Sequence, residues 1–262
     1  MLLKNLCALA TLSSAVLSSS CSPFPAEEDV EVAHLVPEIL ATHEFDESAF
    51  TQGLEVDGDQ LIVGTGQYGT SEIYRTTLDG VKSNVQPLDD QYFGEGITRA
   101  GEHVWQLTWK AGIAFKRDAE TLDVVEEVSY AGQGWGLCAQ DDGALIMSDG
   151  TSQVRHLDPV TFDESSRVTV TLDDEPVESI NELECVDGMV YANLFTETDI
   201  IQFDPATGKV AAVIDASNLP NNAAADSNNV LNGIAHIPGT DRFYLAGKRW
   251  PDLYEVRFVD AG

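Results

Sequence analysis

Apolar residues along this chain gather in short runs of four or five, not in long or helically spaced stretches. Gln60-Leu61-Ile62-Val63, His103-Val104-Trp105-Gln106-Leu107, Ala144-Leu145-Ile146-Met147, Met189-Val190-Tyr191-Ala192-Asn193 and Arg242-Phe243-Tyr244-Leu245 are rich in β-branched or aromatic side chains. Each follows a turn signal: Asp57-Gly58-Asp59, Ala100-Gly101-Glu102, Asp141-Asp142-Gly143, Asp187-Gly188 and Pro238-Gly239-Thr240. Runs this short, bounded by Gly and Asp, read as strands in tight hairpins. No segment sustains a 3.6-residue period, and a single short helix is expected over 215–219.

The runs belong to a repeat. Five segments open with a polar or aromatic residue, a small or polar one, then Leu or Ile: Gln52-Gly53-Leu54, Glu95-Gly96-Ile97, Trp135-Gly136-Leu137, Asn181-Glu182-Leu183 and Asn232-Gly233-Ile234. Their first residues stand 43, 40, 46 and 51 positions apart, the period of a four-stranded propeller blade, typically about 40–50 residues. The expected fold is therefore an all-β, five-bladed β-propeller over residues 33–262. The last repeat runs out near Arg257-Phe258, one strand short, while an unassigned apolar stretch, Ala33 to His43, precedes the first. An open sheet edge is a liability, so the N-terminal strand is expected to complete the C-terminal blade by pairing with residues 252–259. Such closure leaves no edge for a partner, and a monomer is expected.

In a propeller the innermost strands converge on the axis, so repeat-equivalent residues form rings. The repeat starts give one ring of Gln52, Glu95, Trp135, Asn181 and Asn232. The ends of the second strands give another, of Thr65, Trp109, Asp149, Phe195 and Lys248. Phe50 and Phe93, two residues before Gln52 and Glu95, share their strand faces. Each residue alone has a structural reading, since propeller tryptophans are commonly core and asparagines commonly satisfy turn backbones. Together they describe a pocket with aromatic walls and a few convergent polar groups.

Composition narrows the partners. The chain carries 14 Lys and Arg against 44 Asp and Glu, a formal net charge of −30, which repels nucleic-acid phosphates and anionic lipid. The N-terminus reads as an export signal over residues 1–20: Lys4, an apolar run from Leu6 to Leu17 too short to span a bilayer, then serines before Cys21. Cys21 is expected to be the lipidated first residue of a cell-envelope lipoprotein, tethered through residues 21–32, with plain secretion as the alternative. Any membrane association would come through that anchor. Cys138 and Cys185 fall one residue out of phase between repeats, so on neighbouring strands they should face opposite ways, and they are expected to be two buried thiols. The five histidines show no zinc spacing, no Gly-rich loop opens a helix, and no metal or cofactor is expected.

The strings Phe50-Thr51-Gln52-Gly53-Leu54, Tyr92-Phe93-Gly94-Glu95-Gly96-Ile97-Thr98, Gln106-Leu107-Thr108-Trp109-Lys110, Gly134-Trp135-Gly136-Leu137, Asn181-Glu182-Leu183-Glu184, Tyr191-Ala192-Asn193 and Gly247-Lys248-Arg249-Trp250-Pro251 occur in the order found in one family. From about Phe45 to Phe258 the chain resembles the plant and bacterial, metal-independent type of glutaminyl-peptide cyclotransferase, a five-bladed propeller. The resemblance implies conversion of N-terminal glutamine of peptides to pyroglutamate with release of ammonia. It implies Glu95 as the catalytic carboxylate, Phe50, Phe93, Trp109 and Trp135 as pocket aromatics, and Gln52, Asn181 and Lys248 as polar contacts. Phe195 stands where the family pattern has a tryptophan. On this reading Glu95 shuttles a proton, its pKa raised by its aromatic neighbours. Gln52, Asn181 and Lys248 are the candidates for holding the carboxamide oxygen. Two other readings use the same pocket: an exported, non-catalytic propeller that binds peptide ends, and a metal-dependent propeller hydrolase such as a lactonase.

Overall fold

The structure, a computed structural model, describes residues 31–262; the leader and Cys21 lie outside them. The described residues contain strands and turns but no helix. Three sheets are four-stranded antiparallel meanders, each in simple sequence order. The first comprises Thr51–Asp57, Gln60–Thr65, Glu72–Thr76 and Lys82–Pro87. The second comprises Gly94–Ala100, His103–Thr108, Ile113–Asp118 and Val124–Ser129. The third comprises Leu137–Ala139, Leu145–Met147, Gln153–Leu157 and Glu164–Thr169. A fourth sheet has eight strands, and a two-stranded hairpin, Thr171–Leu172 with Glu175–Pro176, stands apart.

The eight-stranded sheet is two meanders joined through the N-terminal strand. Ala33–Glu44 pairs antiparallel with Asp252–Asp260, from Leu35 opposite Asp260 to Glu44 opposite Asp252. Its first residues, Ala33 to Leu35, also pair in parallel with Ala212 to Ile214. The antiparallel partner is the one the incomplete last repeat called for. The parallel seam was not anticipated, and it fuses the fourth and fifth repeats into one sheet.

The first strands of the five repeats touch in a closed cycle. Thr51–Asp57 meets Gly94–Ala100, which meets Leu137–Ala139, then Ile180–Val186, then Leu231–His236, which returns to Thr51–Asp57. Two of the close approaches depend on glycine: a Cβ at Gly96 would lie 2.6 Å from the carbonyl oxygen of Trp135, and one at Gly136 would strike Asn181. Apolar side chains fill the wedges between successive sheets. Ile62, Ile73, Ile97 and Val104 join the first two, and Trp105, Leu107, Leu137 and Met147 the next two. Leu54, Leu61 and Tyr74 meet Ala235, Tyr244 and Leu253 where the ring closes. Burying such side chains contributes about 1.5–3 kcal/mol each, so the core is shared among interfaces between sheets. The arrangement is all-β and propeller-like.

Two expectations are corrected. Cys138 and Cys185 form a disulfide, with Cα atoms 5.4 Å apart. The two cysteines do face opposite ways, but their strands belong to two sheets packed face to face, so opposite faces meet. Residues 215–219 form no helix. A strand ends at Asp215, whose carboxylate accepts the Ser217 N–H at 2.9 Å, and Leu219 N–H returns to the Ala216 carbonyl. Five residues ahead of Pro220 are too few to repay helix nucleation, and the Asp side chain offers the backbone a competing bond.

Candidate active site

Within each hairpin the start of the first strand lies beside the end of the second, so both rings open at one mouth of the axis. Thr51 pairs with Thr65, Gly94 with Thr108, Ile180 with Leu194 and Leu231 with Gly247. Immediately after these pairs the ladder slips, with irregularities between Thr51 and Gly53, Gly94 and Ile97, Ile180 and Leu183, and Leu231 and Ile234. A bulge bends its strand and re-aims the extra side chain. Here the bulged segments carry Gln52, Glu95, Asn181 and Asn232.

A cavity of about 260 Å³ lies at this mouth, and all nine site residues expected from sequence line it. Gln52, Glu95, Asn181 and Lys248 are polar yet 2–4 % exposed, and they make its floor. Gln52 Nε2 donates to Glu95 Oε2 at 2.7 Å. Asn232 Nδ2 donates to Gln52 Oε1 at 3.2 Å and to the Thr51 carbonyl at 3.0 Å, which fixes the Gln52 carboxamide with its N–H toward the carboxylate. The walls are aromatic. Phe93 packs on Trp109 with ring centroids 5.5 Å apart and stands edge-on to Phe50 at 6.1 Å; Trp135 is edge-on to Phe195 at 5.6 Å. Lys248 Nζ sits between two rings, 5.1 Å from Phe50 and 4.8 Å from Phe195, where the ring faces attract a cation.

Burial pushes the Glu95 carboxyl well above the usual carboxylate range, and the charge of Lys248 and the Gln52 bond pull it only partly back. Burial also lowers Lys248, to about 8, against the opposing pull of Glu95. Desolvation thus favours the neutral form of both groups over what water would allow, which makes the Glu95 carboxyl a better proton acceptor. Glu95 Oε1 carries no hydrogen bond to any described residue.

Three ring members do not reach the cavity. Asn232 is fully buried behind Gln52. Asp149 pairs with Arg155 at 2.7 Å and accepts the Thr151 hydroxyl. Thr65 is one residue out of register: the residue equivalent to Trp109, Phe195 and Lys248 is Gly66. Each of these four donates its backbone N–H to the residue two before a repeat start: Gly66 to Phe50, Trp109 to Phe93, Phe195 to Ser179 and Lys248 to Val230. The Phe93 ring fills the space a side chain at Gly66 would need. Two lining residues, Gln67 and Asn228, were not foreseen: Gln67 follows Gly66 and shares its slot with Lys110, Thr196 and Arg249, the last two also at positive φ, while Asn228 sits in the loop before the fifth repeat. Gly66 was the one available signal, as a residue whose missing side chain makes room for Phe93.

A larger cleft of about 670 Å³ is lined by His43, Asp46, Tyr74, Lys82 and neighbours. Its one lysine is already paired: Lys82 bridges Asp46 at 2.5 Å and, beside the cleft, Glu72 at 3.1 Å. Among the described residues, no three His, Cys, Asp or Glu are placed to hold a metal ion.

The family model for glutamine cyclotransferase matches residues 9–258. A glutaminyl-peptide cyclotransferase of Arabidopsis thaliana is 34% identical over 240 residues, spanning 88% of this chain and 75% of its own length. The crystal structure of Myxococcus xanthus glutaminyl cyclase superposes with a TM-score of 0.84 at 35% identity, over 88% of this chain and all of that one.

Proposed function

The chain belongs to the glutamine cyclotransferase family, and on that premise we propose that it cyclises N-terminal glutamine of peptides to pyroglutamate with release of ammonia, on a propeller of five four-stranded blades. The observation that carries this reading is a 4 %-exposed carboxylate, Glu95, held by Gln52 at the floor of an aromatic cavity it shares with Lys248.

The reaction needs little beyond what that floor holds. The substrate α-amine attacks its own γ-carboxamide carbon, so the attack is already intramolecular and the walls need only select the productive rotamer. As the new C–N bond forms, the amine nitrogen loses a proton to Glu95. The same proton then passes to the departing carboxamide nitrogen, which leaves as ammonia while the lactam carbonyl re-forms. One carboxylate with a raised pKa serves both transfers. Negative charge develops meanwhile on the carboxamide oxygen. One N–H of Gln52 is directed to Glu95 and its oxygen accepts from Asn232, so we assign Gln52 a positioning role. Lys248 and Asn181 are left as the groups that stabilise the oxyanion. No step calls for a metal.

The test is ammonia release from a glutamine-initiated tripeptide with the lactam product identified by mass, run with and without EDTA. Turnover indifferent to chelator supports the reading, and binding without turnover would leave a peptide-end receptor. The proposal extends to the leader: mass spectrometry of the mature protein is expected to find a diacylated Cys21 at its N-terminus, and an unmodified one would mean plain secretion.

A further inference from the structure

Once the floor has taken the first residue of a substrate, the rest of the peptide must leave through the mouth, past the loops that rim it. On one side of the mouth is Gln67, with a φ of 106°, a region that glycine adopts freely and other residues rarely do. Such a conformation costs on the order of 1–3 kcal/mol and persists only where its surroundings hold it. They do so here. The Gln67 carbonyl accepts the Ser71 N–H at 2.9 Å, the Ser71 hydroxyl at 2.7 Å and the Thr70 N–H at 3.2 Å. Ser71 Oγ in turn accepts the N–H of Gly94, next to Glu95, at 2.9 Å. The turn is thus tied to the strand that bears the carboxylate. Gln67 lines the cavity, and its side-chain carboxamide makes no hydrogen bond to any described residue. Facing the same cavity from the other loop is Asn228, whose Nδ2 and backbone N–H are both directed to Asp226 Oδ1, at 3.0 and 2.8 Å. Its Oδ1 remains as an acceptor. Beside Gln67, Tyr68 is 53% exposed and edge-on to Phe93 at 5.4 Å.

We propose that Gln67 and Asn228 form a subsite for the peptide backbone following the substrate's first residue, and so set a preference for peptides over single glutamine derivatives. This rests on the cyclase reading above. A carboxamide both donates and accepts, and the group common to every second residue is a peptide unit that does the same. The pair recognises the main chain whatever side chain follows, and the strained Gln67 backbone is what presents one of its members.

The experiment compares Gln-Ala-Ala-amide with glutaminamide, which lacks the following peptide units, in wild type and in Gln67→Gly, Gln67→Ala and Asn228→Ala. Loss of one such hydrogen bond corresponds to roughly a fivefold change. The tripeptide-to-glutaminamide ratio of kcat/KM is therefore expected to fall about fivefold in each variant, through KM. Gln67→Gly and Gln67→Ala should lose the preference equally, while the Gly variant melts at the higher temperature because glycine tolerates the positive φ. A ratio that stays at the wild-type value in both Gln67 variants overturns the subsite. Calorimetry on the same ligands reads the same ratio as Kd. If wild type releases no ammonia, the cyclase reading falls, and an unchanged Kd ratio is then what removes the subsite.

Discussion

Gln52 and Glu95 occupy the same position in consecutive repeats, 43 residues apart, and are joined side chain to side chain at 2.7 Å. One structural slot therefore supplies the carboxylate in one repeat and the group that orients it in the preceding repeat. The chemistry depends on how equivalent positions have diverged, more than on any contiguous motif.

Replacing Glu95 by Gln keeps the shape and abolishes the proton shuttle. Turnover of a glutamine-initiated peptide is expected to fall by about a thousandfold, with far-UV circular dichroism and Tm near wild type. Gln52→Ala should cost less, about tenfold, and should shift the acid limb of the pH profile because Glu95 loses its hydrogen bond. Turnover retained in Glu95→Gln would move the shuttle to another residue.

The state of Lys248 should set the alkaline limb. Burial holds it near 8 against the pull of Glu95, so kcat is expected to decline as pH rises past about 8, where the charge facing the oxyanion is lost. Lys248→Arg, with a guanidinium that stays charged, should carry that limb upward. Lys248→Met should remove it along with about a hundredfold of kcat. A profile unaltered in the Arg variant would mean that the limb belongs to the substrate.

Three carboxylates, the buried Glu182 and Glu184 and the half-buried Glu55, lie near the axis away from the cavity floor. Burial raises all three, Glu55 to about 7. The folded chain then holds protons that the unfolded chain, with carboxyls near 4.5, releases. The share from Glu55 is complete below about pH 4.5 and is lost as pH rises through 7, and Glu182 and Glu184 act in the same direction. Asp46 and Asp149 act the other way. Despite burial, Lys82 and Ser48 hold Asp46 low, and Thr151 and Arg155 hold Asp149 low, so their contribution is lost below about pH 4. Thermal melts should therefore peak between about pH 4 and 5 and fall by several degrees by pH 8. Glu55→Gln should flatten the slope between pH 5 and 7; an unchanged slope would assign it to general charge repulsion.

The Cys138–Cys185 bridge spans 47 residues and joins the innermost strands of two sheets. Closing a loop of that length removes about 4 kcal/mol of unfolded-chain freedom in the entropy model. The double variant Cys138→Ser, Cys185→Ser should melt about 10 °C lower, with the folded cavity intact at room temperature. An equal Tm would show the strands to be held by packing alone.

The repeat made most of the architecture legible. Hairpins, strand runs and the pairing of Ala33–Glu44 with Asp252–Asp260 follow from period, turn residues and the missing last strand. Of the eleven lining residues, seven emerged because divergence at equivalent positions is visible between the repeats, and Phe50 and Phe93 as their neighbours on the same strand faces. The failures share a cause, which is that alignment gives position along a strand but not what lies across a gap. Cys138 and Cys185 were expected to face opposite ways on neighbouring strands and so to stay apart, although across the gap between two sheets opposite faces meet. Gly66 was displaced by Thr65 although it stands 14 residues after Gln52, as Trp109 does after Glu95 and Phe195 after Asn181; a glycine offers no side chain to a ring. Gln67 follows Gly66 and was lost with it once Thr65 had taken the ring position, and Asn228 lies in the loop before the fifth repeat. Glu182 shows the limit most plainly. It stands where the other four repeats have glycine, and it fills the axis by accepting the N–H of Ile234 at 2.9 Å and of Leu54 at 3.3 Å. In one dimension it is only an exception to a pattern.

Ala33–Glu44, the first of the described strands to be synthesised, has both its partners beyond residue 209. During translation it must remain extended and unclaimed while four repeats emerge behind it, and only the final strand gives it a place. Pairings this remote slow folding, so the chain should stay protease-sensitive until its last segment is released, then become resistant in a single late step. Moving this strand to the other end, as a hairpin after Asp260, would make the seam local and should quicken folding while leaving the finished molecule the same.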